Sequence, residues 1–177
     1  MTELPPPLSD ELVELRAWHD DDADWYAAAV RDPQIQRFTS EPEDLTAAQV
    51  RAAIAALRQR SEQVGLVICD PVTGQRLGNI ALRRAGTVGE VGYWVAAEAR
   101  GRGVATAALR LLSAWALATL GLRELRLWCH AANWGSRRVA ERAGYRRAPE
   151  DDGERVVKAR TWPVVGYVRH RSDAGAR

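Results

Sequence analysis

The sequence predicts a mixed α+β fold in which a mostly antiparallel, twisted sheet is flanked by helices. The spacing of apolar residues switches from helical to alternating and back along the chain. Paired strand-like runs in the middle then give way to a strand–helix–strand–helix order. The 177 residues, 46% of them apolar, suit one domain over residues 1–177, with an ordered core over about 12–170.

Leu12 to Trp18 opens the ordered part as a strand. Asp20, Asp21 and Asp22 offer acceptors to the free N–H groups of a helix running from Trp25 to Val30, and Asp32-Pro33 closes it. Thr46-Ala47-Ala48-Gln49 has capping-box spacing and starts a second helix, with Val50, Ile54 and Leu57 on one side. Val64, Leu66 and Ile68 alternate along a strand, Asp70 to Gly74 turns the chain, and Leu77 to Leu82 returns. Gly86-Thr87 turns again into a third strand, Glu90-Val91-Gly92-Tyr93-Trp94-Val95. A long helix from Thr106 to about Leu120 carries Leu109, Leu112, Ala116 and Leu120 on one stripe and stops at Gly121. Glu124 to His130 is a strand, Asn133 to Ala143 a helix ended by Gly144, and the remainder is strand-like. Pro5-Pro6-Pro7 and Ser172 to Arg177 read as loose ends.

Composition excludes several classes. With 25 Lys+Arg against 23 Asp+Glu, the net charge of +2 points to no particular partner. Arg137, Arg138, Arg142, Arg146, Arg147, Arg169 and Arg171 crowd the last third, where a solvated basic face is favoured over a nucleic-acid surface. Cys69 and Cys129 sit in apolar strand-like runs and read as small hydrophobes, not disulfide partners. No signal peptide or transmembrane run is visible, so a soluble cytoplasmic protein without membrane contact is expected. His19, His130 and His170 lack metal-site or triad spacing; no metal is expected, and His130 reads as structural.

Arg100-Gly101-Arg102-Gly103-Val104-Ala105 lies between the third strand and the long helix. Gly101 and Gly103 permit positive φ and close approach of a ligand. The first N–H groups of the helix lack partners and meet the positive end of its dipole, an anion site suited to a pyrophosphate. Arg100 and Arg102 would add charge-assisted bonds. The dinucleotide turn's third glycine and the Walker loop's Gly-Lys-Ser/Thr have no counterpart. On spacing alone, a glycine-rich turn that merely precedes a helix stays equally open.

The chain here resembles the GNAT superfamily of acyl-CoA N-acyltransferases. Arg100, Gly103 and Ala105 match that superfamily's Gln/Arg-x-x-Gly-x-Gly/Ala signature, and the resemblance runs from about Leu12 to His170. It is similar above all to the RimJ/RimL type, through Leu15-Arg16-Ala17-Trp18 with Asp22, Asp32-Pro33-Gln34-Ile35, and Gly92-Tyr93-Trp94-Val95. Asn133, Ser136, Val139-Ala140 and Gly144-Tyr145 follow in the same order.

The resemblance implies the GNAT fold, with the sheet splayed at the cofactor site. The backbone of Tyr93, Trp94 and Val95 would pair with the pantetheine arm of acetyl-CoA or another acyl-CoA. Amides of Arg100, Gly101, Arg102, Gly103, Val104, Ala105 and Thr106 would hold the pyrophosphate. Asn133 would lie beside the pantetheine and Ser136 near the sulfur. Direct transfer in a ternary complex needs a neutral amine, a stabilised oxyanion and a proton for the leaving thiolate. Ser136 is the candidate proton donor, although Asn133 and Ser136 also suit a helix start. Glu90, on the face of Gly92 and Trp94 by period-two alternation, is either the general base or an ordinary solvent-facing residue. Glu154 is a second candidate base, in a stretch that aligns poorly. Trp94, Trp134 and Trp162 are expected to line the acceptor cleft, Trp134 shaping its mouth, while Trp18, Trp115 and Trp128 fill the core.

The acceptor is expected to be a primary amine: a protein or peptide N-terminus, or a small molecule such as an antibiotic or polyamine. Longer acyl-CoA or aminoacyl-tRNA donors, a non-catalytic acyl-CoA-binding module, and a ribosome- or RNA-docking protein are the alternatives. Both a monomer and a homodimer fit the sequence.

Overall fold

The computed structural model describes residues 6–175; residues 1–5 and 176–177, including Pro5 and the end of the expected loose C-terminus, lie outside it. Order begins before Leu12, because strand β1 (Leu8–Ser9) pairs with β2 (Glu14–Ala17). It also continues past His170 into a 3-10 turn over Arg171–Gly175, where the Asp173 carboxylate accepts the His170 N–H at 2.9 Å.

The three aspartates do not cap helix α1 (Ala23–Ala29) with their side chains; Asp20–Asp22 form a 3-10 turn, and Asp22 is buried. Its carboxylate accepts bonds from Arg16 Nη1 at 2.8 Å, the His19 N–H at 2.9 Å and Arg76 Nε at 2.5 Å. Burial alone would raise its pKa; the bonds from Arg16, His19 and Arg76 outweigh that and hold the carboxyl well below the usual range. Asp32 does not close α1 but opens α2 (Pro33–Phe38), accepting the Gln34 and Ile35 amides at 2.9 and 3.0 Å. Asp-Pro serves both as a stop and as an N-cap with proline at the first helical position, which is why the pattern left α2 unseen. The predicted capping box forms at α3 (Ala47–Arg58): the Thr46 N–H donates to Gln49 Oε1 at 2.8 Å, and the Gln49 N–H to Thr46 Oγ1 at 3.3 Å.

Strands β3 (Gln63–Cys69), β4 (Arg76–Ala85) and β5 (Val88–Val95) form an antiparallel meander. Helix α4 (Val104–Thr119), beginning two residues earlier than predicted, crosses to β6 (Glu124–His130), which runs parallel to β5. Helix α5 (Trp134–Arg142) and strands β7 (Arg146–Arg147), β8 (Gly153–Val157) and β9 (Arg160–His170) complete the chain. The sheet order is β1-β2-β3-β4-β5-β6-β9-β7, with β8 added to β9.

Leu109, Leu112 and Ala116 of α4 join Leu66, Ile68, Ile80, Leu82 and Leu125 in the main core. Val50 and Ile54 of α3, with Ala23 and Ala27 of α1, cover Val67 and Cys69. Strand β3 is therefore buried on both faces from Val64 to Cys69, and its predicted alternation marks only the face toward α4. Among the described residues no helix is long and apolar enough to cross a membrane.

Strands β5 and β6 pair only at Val88↔Glu124, Gly89↔Leu125 and Glu90↔Arg126. Beyond Glu90, β5 stays with β4 as far as Val95↔Gly78, while β6 follows β9 as far as His130↔Val164. The two strands splay into a wedge.

Asp22→Asn leaves two arginines facing a neutral buried side chain and should lower the unfolding free energy by about 3 kcal/mol. The depressed carboxyl contributes fully above its unfolded pKa of about 3.9, and that contribution is lost as pH falls. The gap between the urea midpoints of the two proteins should therefore begin to narrow only as pH falls toward about 4, and should keep closing as pH drops further through the strongly depressed folded-state value.

Candidate functional site

The wedge opens a cleft of about 700 Å³ lined by Glu90, Tyr93, Trp94, Val95, Arg100, Gly101, Gly103, Val104, Ala105, Thr106, Asn133 and Ser136. Of the candidates in the turn and strand, Arg102 alone lies outside that lining.

At the turn, Gly101 and Gly103 adopt φ of 74° and 83°, a region side-chain-bearing residues avoid. Gly103 is the N-cap of α4 and brings no capping side chain. The Ala107 N–H makes the first helical bond, to the Gly103 carbonyl at 3.0 Å. The amides of Val104, Ala105 and Thr106 are therefore left pointing out of the helix end, where its dipole is positive. This cradle fits a pyrophosphate.

Arg100 does not add to the cradle as expected. Its N–H bonds the Ala97 carbonyl at 3.3 Å, and its guanidinium bonds Asp32 Oδ1 at 2.5 Å and the Val95 carbonyl at 3.2 Å. The Arg100 bond, helped by the α2 amides, holds Asp32 below the usual carboxylate range against the effect of burial. Arg100 thus ties the turn to α2. Positive charge enters the cleft instead through Arg138 and Arg142, one turn apart on α5, where Arg110 of α4 bonds the Arg142 carbonyl. Much of the remaining basic cluster is engaged elsewhere: Arg146 pairs with Asp173, Arg147 with Asp152, and Arg169 and Arg171 bond the Ala143 and Leu122 carbonyls.

Alternation along β5 builds two different walls. Tyr93 packs against the main core and its hydroxyl donates to Ser136 Oγ at 3.2 Å. Asn133 caps α5, its Oδ1 accepting the Ser136 N–H at 3.1 Å. Burial raises the Tyr93 pKa, so its phenol stays a proton donor. Ser136 accepts that proton's bond and keeps its own O–H for another acceptor. No local pattern marks the Tyr93 side chain, because its partner Ser136 lies 43 residues away.

On the opposite wall Trp94 is buried against Trp25 and Tyr26, with ring centroids at 5.7 and 5.1 Å. Its Nε1 donates to Glu41 Oε1 at 3.3 Å, and the Tyr26 hydroxyl donates to the same oxygen at 2.7 Å. Glu41 lines the cleft and was not anticipated, since nothing adjacent to it signals a site. Glu90, on this wall, faces Arg83 at 3.5 Å and Arg155 at 3.8 Å. Glu154 lies on an exposed stretch of β8, away from the cleft.

Three tryptophan expectations are corrected. Trp134 is 61% exposed and carries the Arg137 guanidinium 4.1 Å above its ring, so it does not shape the mouth. Trp162 is buried beside His130, whereas Trp128 lines the cleft. His130 Nδ1 accepts the Ala132 N–H at 3.0 Å, a structural bond. Cys129 also lines the cleft, but burial pushes its thiol up to about 11, so the thiolate is scarce at neutral pH.

Gly103→Ala forces a Cβ into left-handed backbone and re-aims the amides. It should weaken CoA binding about tenfold, the loss of one charge-assisted bond. Pantetheine, which lacks the pyrophosphate, should bind wild type and variant alike; calorimetric titration separates the two ligands.

The profile of the acetyltransferase (GNAT) domain matches residues 13–146, from the start of β2's approach through α5. Over 75 residues the chain is 37% identical to the Bacillus subtilis (strain 168) protein named "Putative ribosomal N-acetyltransferase YdaF", a match spanning 41% of this chain and 41% of that protein. A RimL ribosomal L7/L12 alpha-N-protein acetyltransferase in complex with coenzyme A superposes with a TM-score of 0.80 at 17% identity, covering 93% of this chain and 98% of that one. A ribosomal-protein-S5-alanine acetyltransferase from Vibrio fischeri gives 0.80 at 16% identity, covering 96% and 98%. Such identities speak for shared fold alone. The domain profile goes further, because it spans the strands, turn and helices that build the cleft: the chain belongs to the GNAT acetyltransferase family.

Proposed function

We propose that the protein transfers an acetyl group from acetyl-CoA directly to a primary amine, the N-terminal α-amine of a protein or peptide. The observation that carries this reading is the wedge between β5 and β6, which ends at the bare N-terminus of α4 and has Ser136 on its wall. An extended pantetheine arm fits the open edge of β5, and the pyrophosphate fits the amides of Val104 to Thr106. Relatives named as acetyltransferases of ribosomal proteins support a protein N-terminus as acceptor.

In this reading the amine nitrogen bonds the thioester carbon as the carbon–sulfur bond breaks. Ser136 donates its hydroxyl proton to the departing thiolate, Tyr93 restores it through the 3.2 Å bond, and solvent water reprotonates the phenol. Glu90 takes the amine's proton through water. The high thiol pKa of Cys129 argues against an acyl-enzyme and for direct transfer.

Ser136→Ala and Glu90→Gln should each slow turnover by about 10²-fold, a typical general acid or base contribution, while acetyl-CoA affinity stays within a few-fold. Tyr93→Phe should lower kcat without a matching change in the acetyl-CoA KM. Thiol release, screened with acetyl-, succinyl- and longer acyl-CoAs against peptides and small amines, tests the reaction itself. Release with small amines but no peptide would replace the proposed acceptor, and unchanged turnover in both Ser136→Ala and Glu90→Gln would overturn the catalytic assignments.

A further inference from the structure

Two carboxylates line the cleft, and they are held differently. Glu90 faces two arginines. Glu41, in the link between α2 and α3, has no basic partner among the described residues. Both of its donors, the Tyr26 hydroxyl at 2.7 Å and Trp94 Nε1 at 3.3 Å, converge on Oε1. Oε2 has no hydrogen-bond partner among the described residues.

That arrangement leaves one carboxylate oxygen open to a ligand in the cleft. Here the protein supplies two neutral donors to one oxygen and none to the other. Tyr26 and Trp94 are themselves packed against Trp18 and Trp25, so the carboxylate has little freedom to turn elsewhere. Thr39 and Ser40, the flanking residues on the cleft, are uncharged. Across the cleft the charges are of the other sign: the α4 amides, Arg138 and Arg142. The cleft is thus polarised, positive where a phosphorylated donor fits and negative at Glu41.

We infer that Glu41 is the acceptor-recognition residue: Tyr26 and Trp94 fix its carboxylate so that the free oxygen receives the ammonium of a cationic primary amine. The inference takes the class of acceptor from the acetyltransferase reading. Glu41 binds the amine in its charged form, and the nitrogen must lose a proton before attack, so recognition and deprotonation fall to different carboxylates.

The test is a calorimetric titration of the CoA-bound protein with alanine- and serine-initiated hexapeptides of uncharged side chains, and with 1,4-diaminobutane. Each peptide is also tested with an acetylated N-terminus. Wild type should bind at least one free amine about tenfold more tightly than an acetylated control, a difference of about one charge-assisted bond. Glu41→Gln, which keeps an oxygen for Tyr26 and Trp94, should abolish that discrimination and leave CoA affinity within twofold. Glu41→Asp should restore part of it. Discrimination that survives in Glu41→Gln overturns the inference, as does a wild type that prefers none of the free amines. The two readings fail separately. Amine discrimination without thiol release would sink the transfer reaction alone, whereas transfer with an unchanged amine KM in Glu41→Gln would sink the role of Glu41 alone.

Discussion

The parallel contact between β5 and β6 lasts for three residue pairs, and the functional surface of the molecule follows from where it stops. Each strand has a stronger obligation elsewhere. β5 is held along its length by β4, and β6 is paired along its length with β9. Strand twist carries the two pairs apart, leaving an edge of β5 facing an opening. Unpaired backbone groups at such an edge need partners, and an extended ligand with amides of its own can supply them. The crossover that joins the two strands, α4, starts at the same opening and directs its bare amides there.

The edge strand also divides the cleft chemically. Because successive side chains of β5 point to opposite faces, Tyr93 reaches Ser136 on the α5 side while Trp94 reaches Glu41 on the side of α2 and α3. One strand thus separates a wall of neutral hydroxyls from a wall carrying carboxylates, on either side of the cleft. Arg100 links the two halves, since it lies in the donor turn and bonds the aspartate that caps α2. The position of α2, and so of the loop bearing Glu41, depends on an ion pair made to the turn.

Buried charge elsewhere has the same organising effect. Asp22 gathers Arg16 from β2 and Arg76 from β4, anchoring the link before α1 to the sheet edge. Breaking such a cluster is costlier than replacing it with apolar groups, so its value lies in fixing where α1 sits. Trp18, Trp25, Tyr26 and Trp94 then pack successively from that anchor to the cleft.

What the sequence determined by itself is what depends on neighbours along the chain. The capping box at Thr46, the helical stripe through Leu109, Leu112 and Ala116, the alternation in β5, and the positive-φ glycines before α4 are satisfied within a few residues. These were enough to predict most of the sheet and the longer helices, and to mark the turn before α4 as a candidate anion site. The tertiary structure decided what depends on distant partners. Arg100 is drawn to Asp32, 68 residues away, and not toward the phosphate cradle. Tyr93 meets Ser136 across 43 residues, and Trp94 meets Glu41 across 53. Trp134, predicted at the mouth, turns to solvent under Arg137. Helix caps and strand periods are local and repeat in many proteins, whereas a hydrogen bond between separate elements exists only once packing has brought them together. The backbone of the cleft and several residues that line it were therefore legible in the sequence, whereas the hydrogen bonds that orient Tyr93, Trp94 and Glu41 were not.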